Sequence, residues 1–319
     1  MKTHDIQRDS RYMDKEYDLI TFGDLCVDLM VYGDDVTPEF GQVEKLVGDY
    51  YLEMGGSCSI FACQAAKLGL RVAILGKVGA DQFGELILTR LRESGVDTQY
   101  VTIDSSLKTG IGVALCRPDG DRAILTYLGT INVLTPGDVS EHFLAKARHL
   151  HHGSYYLHTG LKAGIPEIFR RAKALGLTIS LDTNWDPDER WGADLSGVIS
   201  EVDIFMPNEQ EALFVSGEQD LAAGIQRLHT LGAGLVVVKQ GEKGALASDG
   251  YRIYRCGVEP VYGGDSVGAG DSFDAGFLAG WLRGLDLERC LEIGCACGRS
   301  VAAHIGGVKG QLAWEQVKP

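Results

Sequence analysis

The chain has 319 residues, 45% hydrophobic and 23% charged, a globular composition that excludes a disordered, collagenous or disulfide-scaffold protein. Its net charge of −14 opposes binding to nucleic acid or to an anionic membrane surface, although backbone N–H groups can still hold a small anion. The 42 glycines, about twice the usual share, imply many tight turns and close backbone approaches.

Residues 1–16 read as a polar N-terminal extension without the apolar stretch of a secretory signal, and no run of about 18 apolar residues follows. The sequence therefore reads as soluble and cytoplasmic. Short β-branched runs at 18–22, 72–75, 149–157, 178–181, 203–206 and 235–239 alternate with helical stretches, which predicts a mostly parallel sheet covered on both faces. Ser57 caps a helix over 58–68 that Gly69 stops. Asp81 caps another through Glu93, and a third over 162–175 ends at Gly176. Two stretches, about 31–53 and 110–128 with Asp119-Gly120 as a hairpin tip, alternate in the manner of antiparallel strands. They are either edge strands of the one sheet or a small β lid over the carboxyl ends of the parallel strands.

Cys26, Cys58, Cys63, Cys116, Cys256, Cys290, Cys295 and Cys297 show no C-x-x-C spacing and read as reduced, buried thiols. His149, His151, His152 and His158 read as satisfied imidazoles around a buried strand, with no acidic or cysteine ligand at metal-site spacing. Trp185 and Trp191 read as packing residues.

The segment 263–273, GGDSVGAGDSF, leads into an apolar helix carrying Phe273, Phe277 and Trp281 on one face. Amides of Gly268, Ala269, Gly270 and Asp271 at that helix start can face an anion. Asp271 would be repelled there by a phosphate unless it accepts a proton from an attacking hydroxyl. Phosphoryl transfer suits such a cradle, because it asks the protein mainly for alignment and charge neutralisation. Asn208, Glu209 and Glu211 follow an apolar strand, and the run Gln240-Gly241-Glu242-Lys243-Gly244 ends the next one.

With these residues in place, the chain after about residue 17 resembles the ribokinase-like (PfkB) carbohydrate kinase family. The resemblance rests on Gly55-Gly56 with Ala62, Ala66 and Gly69, on 76–84 (GKVGADQFG) with Gly95-Val96-Asp97-Thr98, on the N-x-x-E element Asn208 to Glu211, and on 265–271 (DSVGAGD). It implies an α/β, ribokinase-like doubly wound, mostly parallel sheet flanked by helices. The α/β kinase domain would span 17–30, 55–109 and 129–312, with a β lid at 31–54 and 110–128. It implies transfer of the γ-phosphoryl group of ATP to a hydroxyl of a small sugar, with a nucleoside as the alternative acceptor. Asp271 would be the base, and the amides of Gly268, Ala269 and Gly270 the anion hole. Asn208 and Glu211 would organise Mg2+ through water, while Lys239, Gly241 and Gly244 border the nucleotide and the small residues of 294–303 let adenine lie close. Asp28 would grip acceptor hydroxyls beside Gly55, Gly56, Ser57 and Ile60. Carbonyls near Asp265 and Val267 would hold a monovalent cation such as K+. Dimerisation through the lid is implied, with no nucleic-acid or membrane partner.

Departures bear on the acceptor. Ile60 stands where many members have Asn, Cys26 where a polar residue is frequent, and Asp186 where sugar-acid and fructose kinases carry Arg. Arg122 on the hairpin can meet an acceptor phosphate or carboxylate, or stay a solvated charge. A rival of another class reads Gly264 to Gly268 as G-x-S-x-G, making Ser266 a hydrolase nucleophile with Asp286 and His304 following in order. The proline-containing segment before it is a poor central strand. No G-x-G-x-x-G supports a dehydrogenase.

Overall fold

A computed structural model describes residues 15–119, 121–261 and 264–318. Gly120 at the expected hairpin tip, Tyr262 and Gly263, and most of the N-terminal extension lie outside the described residues. The chain runs through β1 (Tyr17–Phe22), β2 (Cys26–Tyr32), β3 (Asp49–Gly55), α1 (Ser57–Lys67), β4 (Val72–Gly79), α2 (Gln82–Glu93), β5 (Asp97–Asp104), β6 (Gly110–Cys116) and β7 (Arg122–Tyr127). Then come α3 (Glu141–Ala145), β8 (Ala147–His152), α4 (Thr159–Lys162), α5 (Ile165–Ala174), β9 (Thr178–Leu181), α6 (Ser196–Ile199), β10 (Ile204–Phe205), α7 (Glu209–Ser216) and α8 (Leu221–Thr230). β11 (Leu235–Lys239), β12 (Ala245–Ser248), β13 (Ile253–Cys256), α9 (Ala269–Trp281), α10 (Leu287–Ala302) and α11 (Trp314–Val317) follow.

The large sheet has the order β13-β12-β11-β10-β9-β8-β1-β4-β5. It is parallel from β11 to β5, with β12 and β13 added antiparallel at one edge. Its central strands are buried on both faces because helices cover both. On β1, Leu19 packs in one cluster with Phe61 of α1 and Phe277 of α9, while Ile20 and Phe22 join Phe143 and Phe169 on the other side. β4 and β8 flank β1 on opposite sides, so the chain order reverses there. The carboxyl ends of β1, β8, β9, β10 and β11 thus open on one crevice, where open α/β sheets bind ligands.

The two alternating stretches form a separate four-stranded sheet, β3-β2-β6-β7, rather than edges of the main one. Its pairing is not wholly antiparallel. β2 and β6 run parallel, because the chain passes through α1, β4, α2 and β5 between them, whereas β2–β3 and β6–β7 are antiparallel. β2 also enters this sheet at Cys26, earlier than the alternation indicated.

Asp81 caps α2 through the Gly84 amide, as its sequence position suggests. Ser57 does not cap α1. The N-cap is Gly56 at φ 85°, and Ser57 is the first helical residue. The stretch 162–175 divides into α4 and α5, with Pro166 in the first turn of α5. Among the described residues no helix is long and apolar enough to cross a membrane.

Candidate active site

The turn before α9 closes through Gly268, whose φ of 70° is left-handed and whose Cα lies so close to Gly307 and Ile60 that a side chain would collide. Among the described residues the amides of Gly268, Gly270 and Asp271 donate to no carbonyl, while that of Ala269 reaches Ser266 O at 3.3 Å. Unengaged amides at the start of a 13-residue helix form an anion-binding end.

Asp271 stands in the first turn of α9 and accepts a hydrogen bond from Ser57 Oγ at the start of α1. Burial, reinforced by the charges of Asp182 and Asp24, pushes its carboxyl up to about 7 against the Ser57 hydrogen bond and the Lys239 charge. Ser57 is itself fixed. Its amide donates to Asp24 Oδ2 at 2.8 Å, Ser154 Oγ donates to the same oxygen at 3.1 Å, and Asn184 Nδ2 donates to Ser154 Oγ at 3.0 Å. Loops after β1, β8 and β9 thereby position one hydroxyl against one carboxylate.

Lys239, at the end of β11, sits beneath the anion-binding turn. Its Nζ donates to Asp182 Oδ2 at 2.5 Å and to Asp274 Oδ2 at 3.1 Å. Burial opposes its charge, but Asp182, Asp274 and Glu211 outweigh that cost and keep the ammonium protonated. Asp274, fully buried, is pushed well up by burial, with Lys239 pulling the other way. Asn208 and Glu211 form a reciprocal cap on α7: Asn208 N donates to Glu211 Oε2 and Glu211 N to Asn208 Oδ1, both at 2.9 Å. Burial, with the Asp182 charge, pushes the Glu211 carboxyl up to about 7.

A cavity of about 620 Å³ opens over this floor. Gly241, Gly244, Gly298 and Ala302 line one side, and Tyr32 and Arg122 of the small sheet line the other. Tyr32 OH donates to Asp265 Oδ2 at 2.9 Å, tying β2 to the anion-binding turn, and Val267 N donates to Asp265 Oδ1 at 2.9 Å.

Asp28 lies on β2 opposite Glu53 of β3 and Gly112 of β6. Among the described residues its carboxylate receives no hydrogen bond. Burial and the Asp24 charge push it up to about 6, against the pull of Arg122. The space it occupies exists because Gly55 and Gly112 lack side chains, since a Cβ at either would meet the Asp28 carboxylate. Gly55→Ala should therefore displace Asp28; with Asp28 gripping the acceptor, as the family resemblance implies, kcat/KM for the acceptor should fall about 10²-fold with nucleotide KM little changed, in steady-state assays varying each substrate.

The structure places the other residues singled out in the sequence as follows, with Trp185 and Trp191 packed as expected. Ile60, 2% exposed, packs against Gly268 and Gly307 and supports the turn from behind. Asp186 accepts amides of Asp188, Arg190 and Trp191 and organises its own loop. Trp191 stacks on Phe214 with centroids 4.7 Å apart, and Trp185 meets Trp191 edge-on. The hydrolase triad fails: Asp286 caps α10 while His304 lies just beyond its other end, roughly 24 Å away along a 16-residue helix. Asp24, Ser154, Asp182, Asn184 and Asp274 were not singled out as site residues from the sequence. Asp274 carried a signal, being one turn from Asp271 on the same helix face.

The profile of the pfkB family carbohydrate kinases matches residues 17–312. An ATP-dependent ribose-1-phosphate kinase of Halopiger xanaduensis is 31% identical over 79% of this chain and 81% of its own. A cytidine kinase of Thermococcus kodakarensis is 29% identical over 91% and 97%. Among solved structures, a putative ribokinase II from E. coli in complex with ATP and Mg2+ superposes with a TM-score of 0.82 at 26% identity, covering 95% of this chain and 98% of that one. With the ribokinase-like fold, the amide cradle and these likenesses in agreement, the chain belongs to the pfkB carbohydrate kinase family, whose members are ATP-dependent phosphotransferases with an alcohol acceptor.

Proposed function

We propose that this kinase phosphorylates a hydroxyl of a small sugar held by Asp28, with Asp271 as the base. The observation that carries the reading is the joining of Asp271 and Ser57 at a helix start with unengaged amides, beside a cavity lined by Ala269 and Gly270. The acceptor hydroxyl gives its proton to Asp271 while the amides of Gly268 and Gly270 neutralise the transferring group. Ser57 orients the carboxylate. Gly241, Gly244 and the small residues of α10 leave room for the nucleotide. Magnesium, when bound, neutralises phosphate charge. Glu211 suits it because one of its carboxylate oxygens is spent on Asn208 N, leaving the other for a hydrated cation. The carbonyls of Asp265 and Val267 accept no backbone hydrogen bond among the described residues, which supports the same reading for a monovalent cation.

A nucleoside is the second acceptor reading, favoured by the apolar Cys26 two residues before Asp28 on β2 and by the cytidine kinase likeness. A phosphosugar held by Arg122 is the third, favoured by the ribose-1-phosphate kinase likeness. ADP release should be screened over pentoses, hexoses, sugar acids, phosphosugars and nucleosides, with Asp271→Asn as the blank. Turnover of a free sugar with the highest kcat/KM is expected; no acceptor-dependent release from any class would overturn the kinase reading.

The small sheet supports the lid division and lid-mediated dimerisation. Tyr50, Leu125 and Tyr127 share one face of it and are 52–67% exposed, which suits that face to burial against a second copy. Eight free thiols suit a reducing compartment such as the cytoplasm.

A further inference from the structure

Behind Ser57, at the junction of β1 and α1, three metal-binding side chain types meet that lie far apart in sequence. Asp24, Cys58 and His158 are 3%, 0% and 1% exposed, and one donor atom from each lies within 4.8 Å of the others. His158 is anomalous for a buried imidazole. Neither ring nitrogen has a hydrogen-bond partner, and Nε2 is 3.7 Å from Asp24 Oδ1. Buried polar atoms are almost always satisfied, so an imidazole with both nitrogens bare requires an explanation. Gly23 keeps the space between the donors open, because a Cβ there would run into the His158 ring and the Cys58 sulfur.

We propose that Asp24, Cys58 and His158 form a binding site for one thiophilic divalent cation of the zinc class. Bond lengths of about 2.0–2.3 Å place ligand atoms about 3.3–3.8 Å apart around a tetrahedral ion. The His158–Asp24 separation of 3.7 Å already meets that spacing, and the Cys58 sulfur, within 4.8 Å of both, comes into range by a shift of about 1 Å. The charge balances as well. A carboxylate and a thiolate cancel the dication, so the buried complex carries no net charge; the Cys58 proton leaves to solvent on binding. Burial keeps His158 neutral, the form that ligates. Asp24 already receives the amides of Ser57 and Cys58, at 2.8 and 3.1 Å, so an ion on its remaining lone pairs ties the start of α1 to the end of β1. The site stands apart from the magnesium position near Glu211, and its donors are softer than the oxygens magnesium selects.

The full-length protein, stripped with chelator, is titrated with Co2+ and then Zn2+. One equivalent of Co2+ should give a thiolate-to-cobalt charge-transfer absorption that Zn2+ abolishes. The band should persist in Cys256→Ser, a partly exposed thiol elsewhere, and vanish in Cys58→Ser and His158→Gln. Zinc-edge X-ray absorption on the unmodified chain needs no variant and should show one sulfur at about 2.3 Å with nitrogen and oxygen at about 2.0 Å. Zn2+ should also raise Tm in the wild type and not in Cys58→Ser. Absence of a thiolate band and of a sulfur shell in the wild type, or a band that survives in Cys58→Ser, overturns the proposal.

Discussion

Replacing Asp271 by Asn should lower kcat by about 10²–10⁴-fold, the range a positioned general base contributes, with little change in nucleotide KM. The amide keeps the shape and can still accept from Ser57, so only the proton-accepting capacity is lost. In the unliganded protein burial holds the Asp271 carboxyl at about 7. With Asp271 as the proposed base the ionised form is the active one, so log kcat/KM should rise with slope one as pH approaches about 7 and level off above it. Ser57→Ala sharpens the test. The Ser57 hydroxyl stabilises the ionised form, and its removal should move the acid limb to higher pH as well as lower kcat. A pH–rate profile of ADP release for the wild type and both variants measures all three effects. An Asp271→Asn variant turning over at a wild-type rate would remove the base from the mechanism.

The parts of the site legible in the sequence were those built within one turn. Gly268 to Asp271 and Asn208 to Glu211 carry their geometry locally, in a left-handed glycine, a helix start and a reciprocal cap. Ser57 shows the limit. Serine ahead of an apolar helical run reads as a cap, yet its hydroxyl is claimed by Asp271, 214 positions away, and Gly56 takes the cap instead. The parallel β2–β6 pairing is hidden for a similar reason: alternation reveals strands but not the direction of a partner reached through a long crossover. The histidines divide in the same way. His149 and His151 bond to Thr178 and Ser180 on the neighbouring strand, as a buried strand demands, whereas His158 meets Asp24 and Cys58 from distant loops. No ligand spacing along the chain records that meeting. Lys239 reads as a nucleotide neighbour and does line the cavity, but its ammonium turns down toward the carboxylates of Asp182, just after β9, and Asp274 of α9.

That turn makes Lys239→Met the most damaging change to stability expected here. Its side chain is 12% exposed, and it is the cation between two carboxylates that are 2% and 0% exposed. Methionine fills much the same volume, so packing survives, but the Asp182 charge is left uncompensated at the floor of the site. Removing one partner of a buried ion pair typically costs about 3–5 kcal/mol, far more than the net contribution of the intact pair. Urea unfolding should show that loss as a fall in midpoint without a change in slope. Lys239→Met combined with Asp182→Asn removes the stranded charge, so the double variant should recover at least about 1 kcal/mol relative to additivity. Additive losses would mean that Lys239 stabilises by packing alone. The same substitution reaches the chemistry, because the Lys239 charge holds the Asp271 carboxyl down against burial. Without it Asp271 should bind its proton more tightly, and the acid limb of kcat/KM should move to higher pH in Lys239→Met.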